Sequence, residues 1–379
     1  MSKTLQIIIG IIIIAIIVAL VFVFGTGKPI EGVVKIGVLA PLTGEASQWG
    51  IPPKEGVELA LELIKNRVDN KKVEVIYEDT QCDPAKGVSA VQKLINIDEV
   101  DAIIGAVCSS VTLAIAPIVE KSEVPLISPA STSPKISDAG DYVFRVVPSD
   151  ALRGEVFADY IKNDVGLNKV AILYINNEGG AGNKDSFKKR FEELGGKIVA
   201  IESYAQGTKD VKTQLMKIKN QNIQAIVIVS YPADSVIILK QAQELGLSLP
   251  LYFQTEALED PFVLEAAGES ANGVIYILQA DPLGREVEKF ENMFEEKFNR
   301  APALYAAEGF DAFNLIIKAI KECKAETDLS SCIKDELYTI KNYQGVSGTI
   351  TFDGKGDVLK PMAIKKIIEN GKKKVLMIK

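Results

Sequence analysis

Apolar, strand-like segments alternate with amphipathic segments along almost the whole chain, and this alternation is what most restricts its fold. The strand-like segments are apolar at nearly every position, and they comprise Val33 to Ala40, KVEVIYED, VDAIIGAV, VPLIS, KVAILYIN, KIVAIES, IQAIVIVS, LPLYFQT and NGVIYIL. Strands of this kind are buried on both faces, as in parallel sheets covered by helices. We therefore expect an α/β fold with doubly wound parallel sheets.

The segments between these strands have the apolar spacing of helices. We predict helices over residues 53–68, 85–96, 110–121, 184–194, 209–220 and 233–245. About eight strand-helix units in 379 residues are too many for one comfortable domain. The pattern restarts near FRVVPSDALRG, which predicts two lobes, and the tail from Gly348 predicts short antiparallel strands.

An uncharged apolar run from Ile7 to Phe24 precedes this body. It is close to the roughly 20 residues that span a bilayer, and longer than the apolar core of a signal peptide. The following FGTGKP is a poor cleavage site, and no cysteine is present there for lipid attachment. We expect residues 1–32 to form a single-pass membrane helix and linker that hold the body outside the cytoplasm. The alternative is a cleaved signal and a secreted body.

Residue types exclude several functions. The chain has no histidine and a net charge of -7. The absence of histidine excludes Ser-His-Asp and Cys-His catalysis and His-ligated zinc. The negative net charge makes binding of nucleic acid unfavourable. NEGGAGNKDS does not match the spacing of a phosphate-binding loop. We predict a protein that is not an enzyme and needs no metal or cofactor.

Polar residues that follow the predicted strands are the candidates for a ligand site, because open α/β sheets bind ligands at the carboxyl ends of their strands. Ser109 and Ser110 stand where a strand gives way to a helix, so they either cap that helix or bind an anion. Glu256 is either solvated or neutralises an ammonium group. Trp49, in SQWGIPP, is predicted to lie in a loop, as a core anchor or a ligand cover, and Tyr231 has the same two possibilities.

The chain has four cysteines, which could form two disulfides. Cys82 and Cys108 each follow a strand at the same predicted rim, whereas Cys323 and Cys332 flank a short polar loop. An even number on an exported body suggests the disulfides Cys82–Cys108 and Cys323–Cys332, although the sequence alone leaves the pairing open. A free Cys108, or Ser109, would instead be the nucleophile of an enzyme.

Several segments together resemble a known family. KIGVLAPLTGEASQWG, YEDTQCDPAKGVSAVQKLI, IIGAVCSSVTLAIAPIVEKSEVPLISPASTSP, FRVVPSD, ILKQAQELGL, YAAEGFDAF and GTITFDGKGDVLKP occur in family order. They are similar to the leucine/isoleucine/valine-binding branch of the periplasmic-type solute-binding proteins of ABC importers. The resemblance implies the type I periplasmic binding fold, with three crossovers between lobe 1 (33–149 plus 281–354) and lobe 2 (150–280 plus 355–379).

The resemblance also implies roles for individual residues. Ser109 and Thr132 would hold a ligand carboxylate, with main-chain contacts from Ala130. Glu256 would receive the ligand ammonium group. These correspondences favour an α-amino acid.

Other positions follow from the same resemblance. Trp49 and Tyr231 correspond to aromatic residues near the ligand, and the Cys82–Cys108 pair matches the family disulfide, with Cys108 at the pocket. Relatives often carry a pocket tyrosine where this chain holds Gly179 or Gly180. That departure predicts a wider pocket or a different cover over the ligand.

The expected function is the extracytoplasmic ligand-binding component of an ABC-type importer. It would bind a branched-chain or similar α-amino acid between the lobes, as a monomer, and deliver it to the permease subunits. The alternative is a ligand-sensing domain for a related small amide, urea or aromatic acid. Transport is favoured because no second apolar span follows the body.

Overall fold

The computed structural model describes residues 32–44, 46–324 and 328–379. The predicted membrane helix from Ile7 to Phe24 lies outside these ranges. Within them, no helix is both long enough and apolar enough to cross a membrane.

A six-stranded sheet forms the core of the N-terminal half. Its strands are β1 (Val33–Ala40), β2 (Arg67–Val68), β3 (Lys71–Asp79), β4 (Ala102–Ile104), β5 (Leu126–Ser128) and β6 (Val143–Arg145). They lie in the order β2-β3-β1-β4-β5-β6, and all neighbours are parallel except β2 and β3. The parallel arrangement places the carboxyl ends of five strands at one edge.

A seven-stranded sheet repeats this arrangement. Its strands are β7 (Lys169–Ile175), β8 (Lys197–Tyr204), β9 (Ala225–Val229), β10 (Leu251–Phe253), β11 (Ile275–Gln279), β14 (Met362–Ile367) and β15 (Lys373–Ile378), in the order β15-β14-β11-β10-β9-β7-β8. Strands β7 to β11 are parallel, whereas β14 and β15 are antiparallel. A separate hairpin joins β12 (Tyr343–Gly345) to β13 (Gly348–Ile350). The antiparallel strands predicted for the tail are confirmed.

Helices cover both faces of each sheet. They are α1 (Ser47–Leu63), α2 (Pro84–Asn96), α3 (Ser109–Ser122), α4 (Asp150–Asp159), α5 (Glu178–Glu193), α6 (Lys212–Lys219), α7 (Pro232–Glu244), α8 (Pro261–Ala267), α9 (Arg285–Phe298), α10 (Ala306–Glu322) and α11 (Leu329–Thr339). Helices α1, α9, α10 and α11 share one apolar core with the first sheet, and α2 and α3 share the other. The second sheet packs against α6, α7 and α8 on one face and α4 and α5 on the other. The predicted doubly wound lobes are confirmed.

The chain passes between the two sheets three times. It crosses after β6, after β11 and before β14, and the segment from α9 to β13 packs into the cores of the first sheet. Val358 still belongs to that first core, and the return to the second sheet begins at Met362. The lobe boundaries at residues 149, 280 and 354 stay predictions.

The loop predicted around Trp49 is wrong, because this residue lies in the first turn of α1. Pro52 and Pro53 lie inside the same helix and remove two of its backbone hydrogen bonds. Close packing against α10 compensates, since a Cβ on Gly56 would lie 2.0 Å from the carbonyl oxygen of Ala306. Tertiary packing therefore outweighs the local preference of the Gly/Pro-rich segment for a loop.

Candidate ligand-binding site

The loops that follow strands of both sheets converge on one cleft. In each sheet the first strand lies between the second and third parallel strands, and loops leaving this point in opposite directions open a crevice. A cavity of about 30 Å³ lies there. It is lined by all the residues predicted to contact the ligand: Trp49, Cys108, Ser109, Ala130, Thr132, Tyr231 and Glu256. Their roles in binding stay predictions, but the structure brings them together.

Ser109 begins α3 directly after the loop that follows β4. Its hydroxyl accepts a hydrogen bond of 3.2 Å from the backbone N–H of Ser133, and the side chain is buried. The hydroxyl proton therefore remains able to donate to an anion. Cys108 is the N-cap residue and Ser109 and Ser110 are the first two helical residues, so neither serine caps α3. The first amides of α3 have no carbonyl partner within the helix, which favours negative charge beside them.

Cys108 forms a disulfide with Cys82 at the same rim. Cys323 and Cys332 form the other disulfide, so both predicted pairs are present. A cysteine in a disulfide cannot act as a thiolate nucleophile.

Thr132 and Ala130 lie in the loop after β5. The Thr132 hydroxyl donates to Oδ2 of Asp150 at 2.7 Å, which leaves its oxygen able to accept from a ligand ammonium. The N–H of Ala130 donates to the hydroxyl of Ser128 at 3.3 Å. Ser109 therefore offers a donor to the cavity. The Thr132 hydroxyl offers an acceptor, which suits a ligand ammonium rather than the carboxylate contact predicted for this residue.

Glu256 begins the short turn after β10, and both of its carboxylate oxygens contact other side chains. The Tyr305 hydroxyl donates to Oε1, and Nη1 of Arg153 lies 2.6 Å from Oε2. Burial by itself would lower the pKa of Arg153, but Glu256 and Asp150 raise it above its ordinary value. The predicted ammonium acceptor therefore already pairs with a cation of the chain.

Tyr305 connects the two lobes through this contact. It precedes α10, packs in a core of the first sheet and has a φ of 70°, a left-handed conformation that is unfavourable for tyrosine. Burial and the nearby Glu256 carboxylate raise the pKa of Tyr305 well above its ordinary value, so it remains a hydrogen-bond donor. The contact with Glu256 bridges the cleft.

The buried charges beside the cavity do not cancel. When both carboxylates are ionised, Asp150 and Glu256 carry two negative charges and Arg153 one positive charge, and Arg153 lies 3.5 Å from Asp150 and 2.6 Å from Glu256. One ligand ammonium group would therefore neutralise the cluster. Among the residues described, no group of three or more His, Cys, Asp or Glu is arranged to hold a metal ion.

Several buried polar atoms at the cavity make no hydrogen bond within the described parts of the chain. They are Trp49 Nε1, Arg153 Nε, Asn183 Oδ1, Thr255 Oγ1 and Glu256 Oε2, the last of which forms an ion pair with Arg153. Buried polar groups in folded proteins are nearly always satisfied, so unpaired donors and acceptors around one cavity favour a polar ligand.

Aromatic rings close one side of the cavity. The rings of Trp49 and Tyr231 have centroids 4.1 Å apart at 64°, and Tyr305 lies 6.2 Å from Trp49. The Tyr231 hydroxyl accepts from Nδ2 of Asn177 at 3.0 Å, and burial raises the pKa of Tyr231. The arrangement supports a ligand-covering role for Trp49 and Tyr231.

Gly179 and Gly180, where relatives often carry a pocket tyrosine, lie in the first turn of α5. Because this helix begins at Glu178, its predicted start at Lys184 is wrong. A Cβ on Gly179 would make only ordinary contacts, 3.8 Å from Ser109 Oγ, whereas one on Gly180 would lie 1.9 Å from the Ile175 carbonyl oxygen. Only Gly179 therefore has room for a side chain that faces the pocket.

Several residues of the site were not assigned from the sequence, among them Asp150, Arg153, Asn183 and Tyr305. Asp150 and Tyr305 lie within FRVVPSD and YAAEGFDAF, segments that already carried the resemblance to the family. Arg153 lies one helical turn after Asp150 in α4, so helical spacing could have placed it beside that carboxylate. Asn183 donates to Asp150 Oδ2 at 2.7 Å, and no sequence pattern singled it out.

Two α/β lobes with a polar cavity between them define a solute-binding protein of the type I periplasmic binding fold. The chain belongs to the periplasmic binding protein family, whose model matches residues 33–372. The predicted resemblance is thereby confirmed, and members of this family bind solutes rather than catalyse reactions.

Individual relatives cover most of the chain. The leucine-, isoleucine-, valine-, threonine- and alanine-binding protein of Pseudomonas aeruginosa is 26% identical over 86% of this chain and 87% of its own. The leucine binding protein of Thermotoga maritima is 30% identical, with a TM-score of 0.83 over 91% of this chain and 98% of its own. The branched-chain amino acid transporter substrate binding protein of Streptococcus pneumoniae, solved with isoleucine, is 26% identical, with a TM-score of 0.81 over 92% and 99%.

Proposed function

We propose that this protein captures a branched-chain or similar α-amino acid and delivers it to the permease subunits of an ABC importer. The observation that carries the proposal is the placement of Ser109 and Glu256 around one cavity, from opposite sides of the cleft. One offers a donor beside a helix N-terminus, and the other is a buried carboxylate. An α-amino acid carries the complementary pair of charges.

The binding steps follow from these groups. The ligand carboxylate accepts from the Ser109 hydroxyl and the first amides of α3. Its ammonium group donates to Thr132 Oγ1 and Glu256 and neutralises the excess negative charge of the cluster. Closure of the lobes then excludes water and strengthens both interactions.

The names of the relatives support an amino-acid ligand, since the proteins from Pseudomonas aeruginosa and Thermotoga maritima are described as binding leucine. We further propose that the body is a monomer outside the cytoplasm, held at the membrane by residues 1–32. Mass measurement of the purified full chain and protease accessibility in intact cells test these two points.

The direct test is calorimetry of the full chain with each of the L-α-amino acids, followed by Ser109→Ala and Ser110→Ala with the best ligand. We expect Ser109→Ala to weaken binding roughly tenfold or more, because it removes a hydrogen bond to a charged group. Ser110 does not line the cavity, so Ser110→Ala is the matched control and should change affinity less than about twofold. Equal effects of the two changes, or no binding of any amino acid, contradicts the proposal.

The ammonium group distinguishes an α-amino acid from the alternative ligands. Leucine and its deaminated analogue 4-methylpentanoic acid differ only there, as do phenylalanine and 3-phenylpropanoic acid. We expect the acids to bind at least tenfold more weakly, because Glu256 and Asp150 would keep an uncompensated charge. Tighter binding of the acids, of urea or of a simple amide would favour the sensing alternative.

A further inference from the structure

A second and larger cavity adjoins the site. It has a volume of about 310 Å³ and lies between the start of α10 and the turn that follows β10. Arg153, Glu256 and Tyr305 line both cavities, so these three side chains form the wall between them. Arg153 and Glu256 pack with the second sheet, whereas Tyr305 packs with the first, so movement of the lobes would part this wall.

Three polar atoms at the larger cavity are buried without a hydrogen-bond partner in the described parts of the chain, and one of them, Oε2 of Glu256, is neutralised by the Arg153 guanidinium at 2.6 Å. Two remain. One is the donor Nε of Arg153, and the other is the acceptor Oε1 of Gln279. The amide of Gln279 is held in one orientation, because Nε2 donates to Glu308 at 3.2 Å and to the Ser347 carbonyl at 3.0 Å. Its oxygen is therefore the atom left to accept from a ligand.

The charges around the larger cavity disfavour an acidic group. Its lining includes the carboxylates of Glu256, Glu259, Asp281, Glu291 and Glu308, but Arg153 is its one cationic lining residue in the ranges described. Lys365 neutralises part of this charge, through contacts of 2.9 Å with Glu259 and 2.8 Å with Asp281, and Lys373 also forms an ion pair with Glu259. A further carboxylate would still add to an excess of negative charge. A neutral group with both a donor and an acceptor would satisfy both unpaired atoms.

We propose that the bound α-amino acid carries a neutral carboxamide side chain of glutamine type, whose oxygen accepts from Arg153 and whose nitrogen donates to Gln279. This inference rests on the α-amino-acid part of the proposed function, because the α-carboxylate and α-ammonium groups occupy the smaller cavity, and it replaces a branched-chain side chain by a carboxamide. Arg153 and Gln279 then determine specificity. The apolar walls supplied by Pro148, Leu278, Val287 and Leu304 contact the methylene groups of the ligand.

Calorimetry of the full chain with L-glutamine, L-glutamate and L-norleucine tests the proposal. We expect glutamine to bind about tenfold or more tightly than either of the others, because norleucine leaves buried polar groups unpaired and glutamate adds a repelled charge. Gln279→Leu should weaken glutamine binding by about tenfold and change norleucine binding less than threefold. Gln344→Leu, at an exposed glutamine outside both cavities, is the control and should change neither.

Binding of norleucine or leucine at least as tightly as glutamine by the unaltered chain overturns the inference, whether or not the variant folds. So does an equal loss for both ligands in Gln279→Leu. Either result leaves the proposed function intact, since an amino acid still binds. Failure of every α-amino acid to bind would instead remove the proposed function and this inference together.

Discussion

The guanidinium of Arg153 lies 2.6 Å from the carboxylate of Glu256, and both side chains are more than nine-tenths buried. The chain therefore places a permanent cation beside the carboxylate predicted to receive a ligand ammonium group. Asp150, 3.5 Å from the same guanidinium, supplies the second negative charge. Stability and recognition consequently depend on the same three groups.

Removing the carboxylate should destabilise the fold as well as the complex. In Glu256→Gln the buried guanidinium keeps only its longer contact with Asp150, so we expect the free energy of unfolding to fall by about 3 kcal/mol. Adding Arg153→Gln should restore part of this loss, because it removes the uncompensated charge. Urea unfolding of the unaltered chain, both single variants and the double variant measures the coupling. Strict additivity would show that the two side chains do not interact.

The two neighbouring glycines of α5 should respond differently to an added methyl group. Gly180→Ala places a Cβ against the Ile175 carbonyl, so we expect a loss of about 1–3 kcal/mol in stability. Gly179→Ala meets no such obstruction, and alanine favours a helix by up to about 1 kcal/mol, so stability should hold or rise. Thermal unfolding distinguishes them. A larger loss at Gly179 than at Gly180 would contradict this geometry.

The same Gly179→Ala variant should bind its ligand more weakly, since the new methyl group stands 3.8 Å from the Ser109 hydroxyl. Gly354→Ala is a suitable control because a Cβ there meets no atom within 4 Å. Calorimetry of both variants measures the difference, and equal affinities would place Gly179 outside the ligand's reach.

Both disulfides should stabilise the fold, but only Cys82–Cys108 should also affect ligand binding. Loop entropy gives about 3.5 kcal/mol for Cys82–Cys108, which spans 26 residues, and about 2.5 kcal/mol for Cys323–Cys332, which spans 9. We expect replacement of either pair by alanine to lower the free energy of unfolding by amounts of this order. Only the first pair reaches the cavity, through Cys108, so only its removal should also weaken ligand binding. An affinity loss of the same size in both variants speaks against a specific role at the rim.

Asp150 should give the fold an unusual dependence on pH. Burial raises the pKa of Asp150 above its ordinary value, although Arg153 acts in the opposite direction. The folded chain therefore holds this proton to a higher pH than the unfolded chain. The contribution of Asp150 to the free energy of unfolding must then fall as pH rises through the interval between these two pKa values.

Asp150→Asn removes this pH-dependent contribution to the free energy of unfolding. The stability of the variant relative to the unaltered chain should therefore increase as the pH rises from about 4 to about 7. Asp159→Asn is a control of opposite sign. Burial raises the pKa of Asp159, but Arg190 and Lys379 outweigh it and lower the pKa, so this carboxylate stabilises the fold above its ordinary pKa. Urea unfolding at both pH values measures the two slopes, and slopes of the same sign would be inconsistent with these environments.

The sequence predicted the architecture well because its signals were local and periodic. Strands such as Ala225–Val229 are apolar throughout, and the strand-end rule then indicated the loops that carry Ser109, Thr132 and Glu256. The same local reasoning failed at Trp49, where glycine and two prolines indicated a loop but contact with α10 holds a helix. Packing between distant segments decided that element.

Arg153 shows the other limit of prediction. That Arg153 lies in a helix could have been predicted from the sequence. The direction of its long side chain could not, because it depends on partners that the fold brings from distant segments. Glu256 lies about 100 residues after Arg153 in the sequence, and Tyr305 lies about 150 residues after it. Tyr305 also needs a left-handed backbone conformation, for which its sequence gives no signal.

The hydrogen bond from Tyr305 to Glu256 joins the two sides of the cleft without any atom of a ligand. This bond must break when the cleft opens, so it adds to the barrier for opening. Residence time and equilibrium affinity can therefore change separately. A change at Tyr305 would then shorten the lifetime of the complex even where every direct contact with the solute is kept.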